Sequence, residues 1–357
     1  MSTRPGSVQT ARRVAWSLGE VLAVPSAVTV GFFDGVHRGH QLLVDRTRQH
    51  AMSGSLRTVA ATFDRHPTQV IRPGSEPPLL MTLARRIRTL HEVGADFVLV
   101  IPFTVELSEL SPQAFVDTVL VKTLSAEVVV VGENFRFGHL AAGDARTLRE
   151  LGSERGLEVE VVELLTLDDL PISSTEIRRH IALGDVQWAA AALGRPHIVD
   201  GVVVQGQGRG RSIGIPTANI EVAPHTQLPA KGVYAGHVVM DSGVLPTPPA
   251  TSRPRASQDR SQLPEPSFAL PPDGGSLRVP AVMNIGVRPT FGGRTLTVEA
   301  HLLDFEADLY GAVVAVELEH RLREERRFAA PKELVAQIRA DIAHGRDLLG
   351  LAPRPFT

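Results

Sequence analysis

The stretch at residues 26–41 constrains this chain more than any other. SAVTV, a short β-branched and apolar run, leads directly into GFFDGVHRGHQ. The first part reads as a buried strand, and the glycine turn after it opens a helical pattern. Such a junction leaves unpaired backbone N–H groups pointing outward, and the helix dipole there favours an anion. His37 and His40 stand three apart at the opening of that helix, placed to stabilise charge developing on a phosphate. The pair could also ligate a metal, but no third ligand is evident nearby.

Residues 26–184 alternate strand and helix patterns. Further strands are predicted at 57–63, 96–102, 126–132 and 157–163. Leu83, Ile87 and Leu90, and then Phe115 and Val119, recur between them at helical spacing. Near-continuous apolar strands joined by helical crossovers imply a parallel sheet covered on both faces, with ligands at the carboxyl ends of its strands. Three more motifs fall at that edge: TFDRHP (62–67) ends the second strand, GENFRFG (132–138) ends the fourth, and ISSTEIR (172–178) opens a helix after the fifth. Ser173 and Glu176 have capping-box spacing. Capping accounts for Ser173 alone, whereas the hydroxyls of Ser174 and Thr175 and the guanidinium of Arg178 also suit a polyphosphate. Phe135 and Phe137 read as packing residues.

The pattern changes near residue 193. Short strand-like runs at 199–204, 232–240, 281–285, 294–303 and 312–318 predict a small antiparallel barrel. A closing helix has Pro331 near its start and Leu334, Ile338 and Ile342 along one face. Residues 241–278, rich in Pro, Ser and Gly, read as a disordered insertion between two barrel strands. The glycine-rich GQGRGRSIGIPTAN (206–219) lacks the ending of a P-loop. Its Thr217 and Asn219 put an oxygen-bearing side chain on each side of an alanine, hard ligands that suit Mg²⁺. Glu299 alternates with Val298 and Ala300, so it points away from the apolar face.

The remaining features bound the function. A chain of 357 residues is long enough for two domains. A formal net charge of −2 supplies no global basic field for nucleic acid or an anionic membrane. Cysteine is absent, which removes thiolate catalysis and suits a reducing cytosol. The N-terminus lacks the apolar core of a secretory signal, and no run approaches the ~20 residues that span a bilayer. The expectation is a cytoplasmic protein without nucleic-acid or membrane partners, with monomer and homo-oligomer both open.

GFFDGVHRGHQ, TFDRHP, GENFRFG and ISSTEIR, in this order, resemble the FMN adenylyltransferase module of bacterial bifunctional riboflavin kinase/FAD synthetases. PTAN, KGVYA, NIGVRPTF, VEAHLLDF and DLYG resemble the riboflavin kinase module of the same family, again in order. The resemblance implies a Rossmann-like nucleotidylyltransferase domain at 19–185 after a flexible tail at 1–18. A Greek-key β-barrel kinase domain with a closing α-helix would follow at 186–357. In the first, it assigns ATP to Gly31, Phe32, Asp34, Gly35, His37, Gly39, His40, Ser174, Thr175 and Arg178, and FMN to His66, Asn134 and Arg136. Arg65 stands where that family would carry proline. In the second, Glu299 becomes the general base and Thr217 and Asn219 the Mg²⁺–ATP site. Gly206, Gly208, Gly210, Arg211, Gly214, Lys231, Gly232, Tyr234, Asn284 and Arg288 are expected around ATP or flavin. Riboflavin would be phosphorylated to FMN and FMN adenylylated to FAD, with ATP as co-substrate of both steps. A single-function nucleotidylyltransferase, or a non-catalytic flavin-binding regulator on the same folds, is the alternative.

Overall fold

A computed structural model describes residues 13–206, 210, 213–241, 276–290 and 293–352. The chain forms two compact units: the first runs to Pro77 and resumes over Arg86–Ile172, while the second takes Pro78–Arg85 and Ser173 onward.

The first unit is built on six parallel strands: β1 (Val14–Ala15), β2 (Ser26–Val30), β3 (Arg57–Phe63), β4 (Phe97–Ile101), β5 (Ala126–Gly132) and β8 (Glu158–Val162). Their order is β1-β4-β3-β2-β5-β8, with two short ribbons alongside: β6 (Arg136–Phe137) with β7 (Gly143–Asp144), and β9 (Thr166–Leu167) with β10 (Leu170–Pro171). Every residue of β2 is buried, as expected of a central strand sandwiched between helices. Val28 and Val30 pack with Phe115, Val119 and Leu148 on one face, and Ala27 packs with Ala51 of helix Arg38–Gly54 on the other. Period-2 alternation thus divides one strand between two cores. The expected tail at 1–18 is too long. Residues 1–12 lie outside the described residues, but Val14 and Ala15 pair with Val98 and Leu99 and form a sheet edge. Two residues are too few to show a period.

The second unit is a closed antiparallel barrel of β11 (His197–Val204), β12 (Ala218–Val222), β13 (Gly232–Asp241), β14 (Ser276–Thr290), β15 (Gly293–Leu302) and β16 (Val313–Glu324). Its order is β11-β12-β15-β14-β13-β16, closed by the β11–β16 pair. Val199, Val203, Ile220, Met283, Ile285, Val298, Ala300 and Val316 fill the interior. Outside, Val233, Val282, Leu303 and Leu322 meet Ile338 and Ile342 of the closing helix, Pro331–Leu348. Leu334 lies one turn before Ile338 on that face but is 37% exposed. The helix approaches the barrel through its second half, where a β-carbon on Gly345 would stand 2.7 Å from Val282. The expected insertion at 241–278 is also trimmed. Asp241 and Ser276 pair, as do Met240 and Leu277 and Val239 and Arg278, because backbone pairing there continues the hairpin. Residues 242–275 lie outside the described residues.

Candidate active sites

In the first unit, parallel pairing of β2 with β3 and β5 brings their carboxyl ends to one edge, so that the turns at 31–37, 62–66 and 132–136 are neighbours. The first turn is strained: Phe33 (φ 55°) and Val36 (φ 37°) adopt the left-handed region alongside Gly35 (φ 82°). A β-branched residue in that region marks a conformation held by its surroundings. Val36 N–H donates to the Phe33 carbonyl at 3.1 Å, and the Gln41 side-chain Nε2 donates to the Val36 carbonyl at 2.9 Å. The His37 and His40 rings stack with centroids 3.6 Å apart, and the edge of Phe33 meets His40 at 5.1 Å. A side chain at Gly39 would press on the His37 ring at 3.2 Å and approach the Ile172 carbonyl at 3.7 Å, which explains glycine between the histidines. Gly31 continues β2 by donating to Ala61, and Asp34 is buried.

His66 caps the helix Pro67–Ile71. Its Nδ1 accepts from the Thr68 amide at 3.2 Å, and its ring meets the Phe32 ring edge-on at 4.8 Å. Asn134 and Arg136 are exposed, the latter beside Asp144 at 3.2 Å. Phe137 is buried with Phe135 stacked on it, so both pack as expected. Sequence reasoning missed Arg86. This side chain is 1% exposed, lies over the Phe32 ring at 4.1 Å and donates to the carbonyls of Phe32 and Phe63. In the sequence it is one of three arginines in a helix, with no sign of which is buried.

In the second unit, Ser173 caps helix Ser174–Leu183 by accepting from the Glu176 amide at 3.2 Å. Ser174 is half-buried and Thr175 exposed in the first turn, and Arg178 Nε donates to the Pro78 carbonyl at 2.8 Å.

The barrel site is organised by strand register. Glu299 on β15 pairs with Asn219 on β12 and with Asn284 on β14. Directly opposed residues share a face, with β-carbons about 5 Å apart. The three therefore form a polar row outside the barrel, their neighbours Ile220, Val298, Met283 and Ile285 pointing in. A β-carbon on Gly206 would stand 2.0 Å from the Asn219 amide nitrogen, and one on Gly210 would stand 2.3 Å from the Ile215 carbonyl, so neither position has room for a side chain. Gly214 adopts φ 76° in the following turn, and Thr217 is exposed. His301 was also missed: its Nδ1 lies 2.8 Å from the Pro216 carbonyl and ties down the residue before Thr217. The alternation that placed Glu299 on the polar face places His301 there too. The neutral oxygens of Thr217 and Asn219 beside one carboxylate form a hard donor set that fits Mg²⁺ bound chiefly through phosphates.

Lys231 is exposed, and Gly232 accommodates the β16 backbone, where a β-carbon would meet the Arg323 carbonyl at 2.5 Å. Tyr234, expected near ATP or flavin, is buried inside the barrel, and its hydroxyl donates to the Ala230 carbonyl at 2.5 Å. Burial pushes its pKa up to about 12. Arg288 on β14 lies opposite Thr295 on β15. Gly208, Arg211 and the side chain of Arg288 lie outside the described residues. His237, Glu317 and Glu319 also cluster on the barrel, but Arg278 bridges the two glutamates at 2.7 Å each, making this an ion-pair network.

The comparisons divide the chain into two consecutive segments. The FAD synthetase family profile matches residues 22–176, and the riboflavin kinase profile matches 193–349. A protein of Escherichia coli (strain K12) named bifunctional riboflavin kinase/FMN adenylyltransferase is 34% identical, over 91% of this chain and 93% of its own length. Relatives of the same name from Pseudomonas fluorescens (36% identical, 90% and 92% covered) and Bacillus subtilis (32%, 88% and 90%) agree. A solved structure from Streptococcus pneumoniae, titled a macrolide-efflux protein, superposes with a TM-score of 0.77 at 28% identity over 94% of this chain and 98% of its own. Among the described residues, no helix is long and apolar enough to cross a membrane. A nucleotidylyltransferase-like parallel sheet, a kinase-like barrel and full-length relatives in the same order lead to one conclusion: the chain belongs to the bifunctional riboflavin kinase/FMN adenylyltransferase family.

Proposed function

We propose a division of labour in which residues 19–185 carry the adenylyl-transfer step of flavin-cofactor synthesis and residues 186–357 the phosphorylation step. The chain is a transferase that phosphorylates riboflavin to FMN and adenylylates FMN to FAD. The observation that carries the kinase assignment is the in-register row Asn219–Glu299–Asn284. Glu299 accepts the proton of the ribityl 5′-hydroxyl as its oxygen bonds to the γ-phosphorus of ATP, and ADP leaves. Thr217 and Asn219 hold Mg²⁺, which, when bound, neutralises phosphate charge. Glycines at 206–214 admit the nucleotide closely. Lys231 and Gly232, with Asn284 and Arg288, border the flavin.

In the adenylyl-transfer step, the FMN phosphate oxygen attacks the α-phosphorus of ATP, the bond to the β-phosphate breaks, and pyrophosphate leaves. No protein nucleophile takes part, so catalysis rests on positioning and electrostatic stabilisation. The stacked His37 and His40 rings, at a helix start beyond the central strand, support their role at the ATP phosphates. Gly31, Phe32, Asp34, Gly35 and Gly39 shape that loop. His66, Asn134 and Arg136 are assigned to FMN. Ser174, Thr175 and Arg178 are assigned to the β/γ-phosphates on their place at a helix start and on motif order. We place the enzyme in the cytoplasm, on its lack of cysteine, and without nucleic-acid or membrane partners. We set the functional division at 19–185 and 186–357. Riboflavin, ATP and Mg²⁺ incubated with the purified protein should give FMN and then FAD, followed by chromatography. Absence of both products would sink the reading.

A further inference from the structure

Arg86 raises a question that packing does not answer. Its guanidinium is buried, yet no carboxylate forms an ion pair with it within the described salt bridges. Nη1 instead donates to three oxygens: the Phe32 carbonyl at 3.0 Å, the Thr62 hydroxyl at 3.2 Å and the Phe63 carbonyl at 2.8 Å. Thr62 in turn donates to the Phe32 carbonyl at 3.0 Å. The guanidinium carbon lies over the Phe32 ring. Burial pulls its pKa down to about 10, opposed by the charges of Asp34 and Asp64. A buried cation costs stability that an apolar side chain of similar size would not, so its retention needs another reason.

What it touches supplies that reason. Phe32 is the second residue past β2 and Phe63 the last residue of β3, and the Phe32 carbonyl begins the strained turn that ends at His37. One cation thus ties the turn carrying the stacked histidines to the turn carrying His66. We propose that Arg86 is a positioning residue for adenylyl transfer: it holds the 32–37 turn in its strained shape so that His37 and His40 face the reacting phosphates. This rests on the assignment of that turn to ATP. A turn with residues in the left-handed region relaxes when its clamp is removed, and displacement of reacting groups by about 1 Å costs on the order of 100-fold in rate.

The test uses the full chain, with riboflavin phosphorylation as the internal control. Arg86→Gln keeps a polar N–H donor but removes the charge and the planar fork and shortens the side chain. Arg86→Lys keeps the charge. R86Q should lose on the order of 100-fold in kcat for FAD formation, with KM for FMN little changed and phosphorylation within about twofold. R86K should recover most of that loss. R86Q adenylylating within about threefold of the parent overturns the proposal. So does a parallel fall of both activities and of the melting temperature in both variants, since that is a purely structural role. His40→Ala separates the two layers: if H40A keeps adenylylation, the assignment of the turn to ATP fails, whereas if H40A is inactive and R86Q is not, the role of Arg86 alone fails.

Discussion

The two units build phosphate chemistry in opposite ways. The first places its groups on turns beyond the ends of parallel strands, where Phe33 and Val36 sit in the left-handed region and a buried arginine holds the turn. The second places its groups on the strands themselves, and the pairing of β12, β15 and β14 puts Asn219, Glu299 and Asn284 in one row. A turn can adopt many shapes, so it needs clamps and glycines. A ladder has one register, which its hydrogen bonds and inward-facing side chains already enforce. The first site should therefore be sensitive to changes that loosen backbone, and the second to changes of the side chains in the row.

The sharpest way to break that comparison is Glu299→Ala. It should lower riboflavin phosphorylation by ~10³-fold while FAD formation from supplied FMN persists. Loss of both activities in a folded protein would count against two separate sites. His40→Ala should do the reverse, lowering adenylylation by ~10²-fold or more with FMN formation intact, as measured on each half-reaction separately. Gly206→Ala probes a place where the barrel site also depends on close approach by a glycine. Its β-carbon would stand 2.0 Å from the Asn219 amide, so phosphorylation should fall roughly 10-fold to 100-fold in kcat/KM. Unchanged kinetics would show that Asn219 can move without cost. The smallest effect is expected at Tyr234→Phe, which removes a buried hydroxyl bonded to Ala230. It should cost about 1 kcal/mol, read as a melting shift of about 2–4 °C, with phosphorylation within about twofold. A large rise in KM for riboflavin or ATP would place Tyr234 at the ligand site.

Much of this was legible in the chain. SAVTV followed by GFFDGVHRGHQ fits one local structure, and the predicted strand at 57–63 spans the same residues as β3. Strand alternation put Glu299 on the polar face correctly. Other features were hidden because their causes are not local. Leu334 has the spacing of a packed residue but stands where the closing helix does not touch the barrel. Tyr234 lies in a motif that resembles a ligand-binding segment, and only closure of the barrel buries its ring.

Local sequence, then, determined the elements and the chemistry they carry: hydrophobic period, glycine turns, a helix start with two histidines, and an acid on the outer face of a strand. Those properties depend on neighbours within a few positions, which any chain encodes directly. Tertiary structure decided which of these groups meet. Register brought Asn219 and Asn284 to Glu299 from 80 and 15 residues away, and burial singled out Arg86 from the arginines beside it. Both outcomes follow from pairing and packing between distant segments, which no local pattern in the chain specifies.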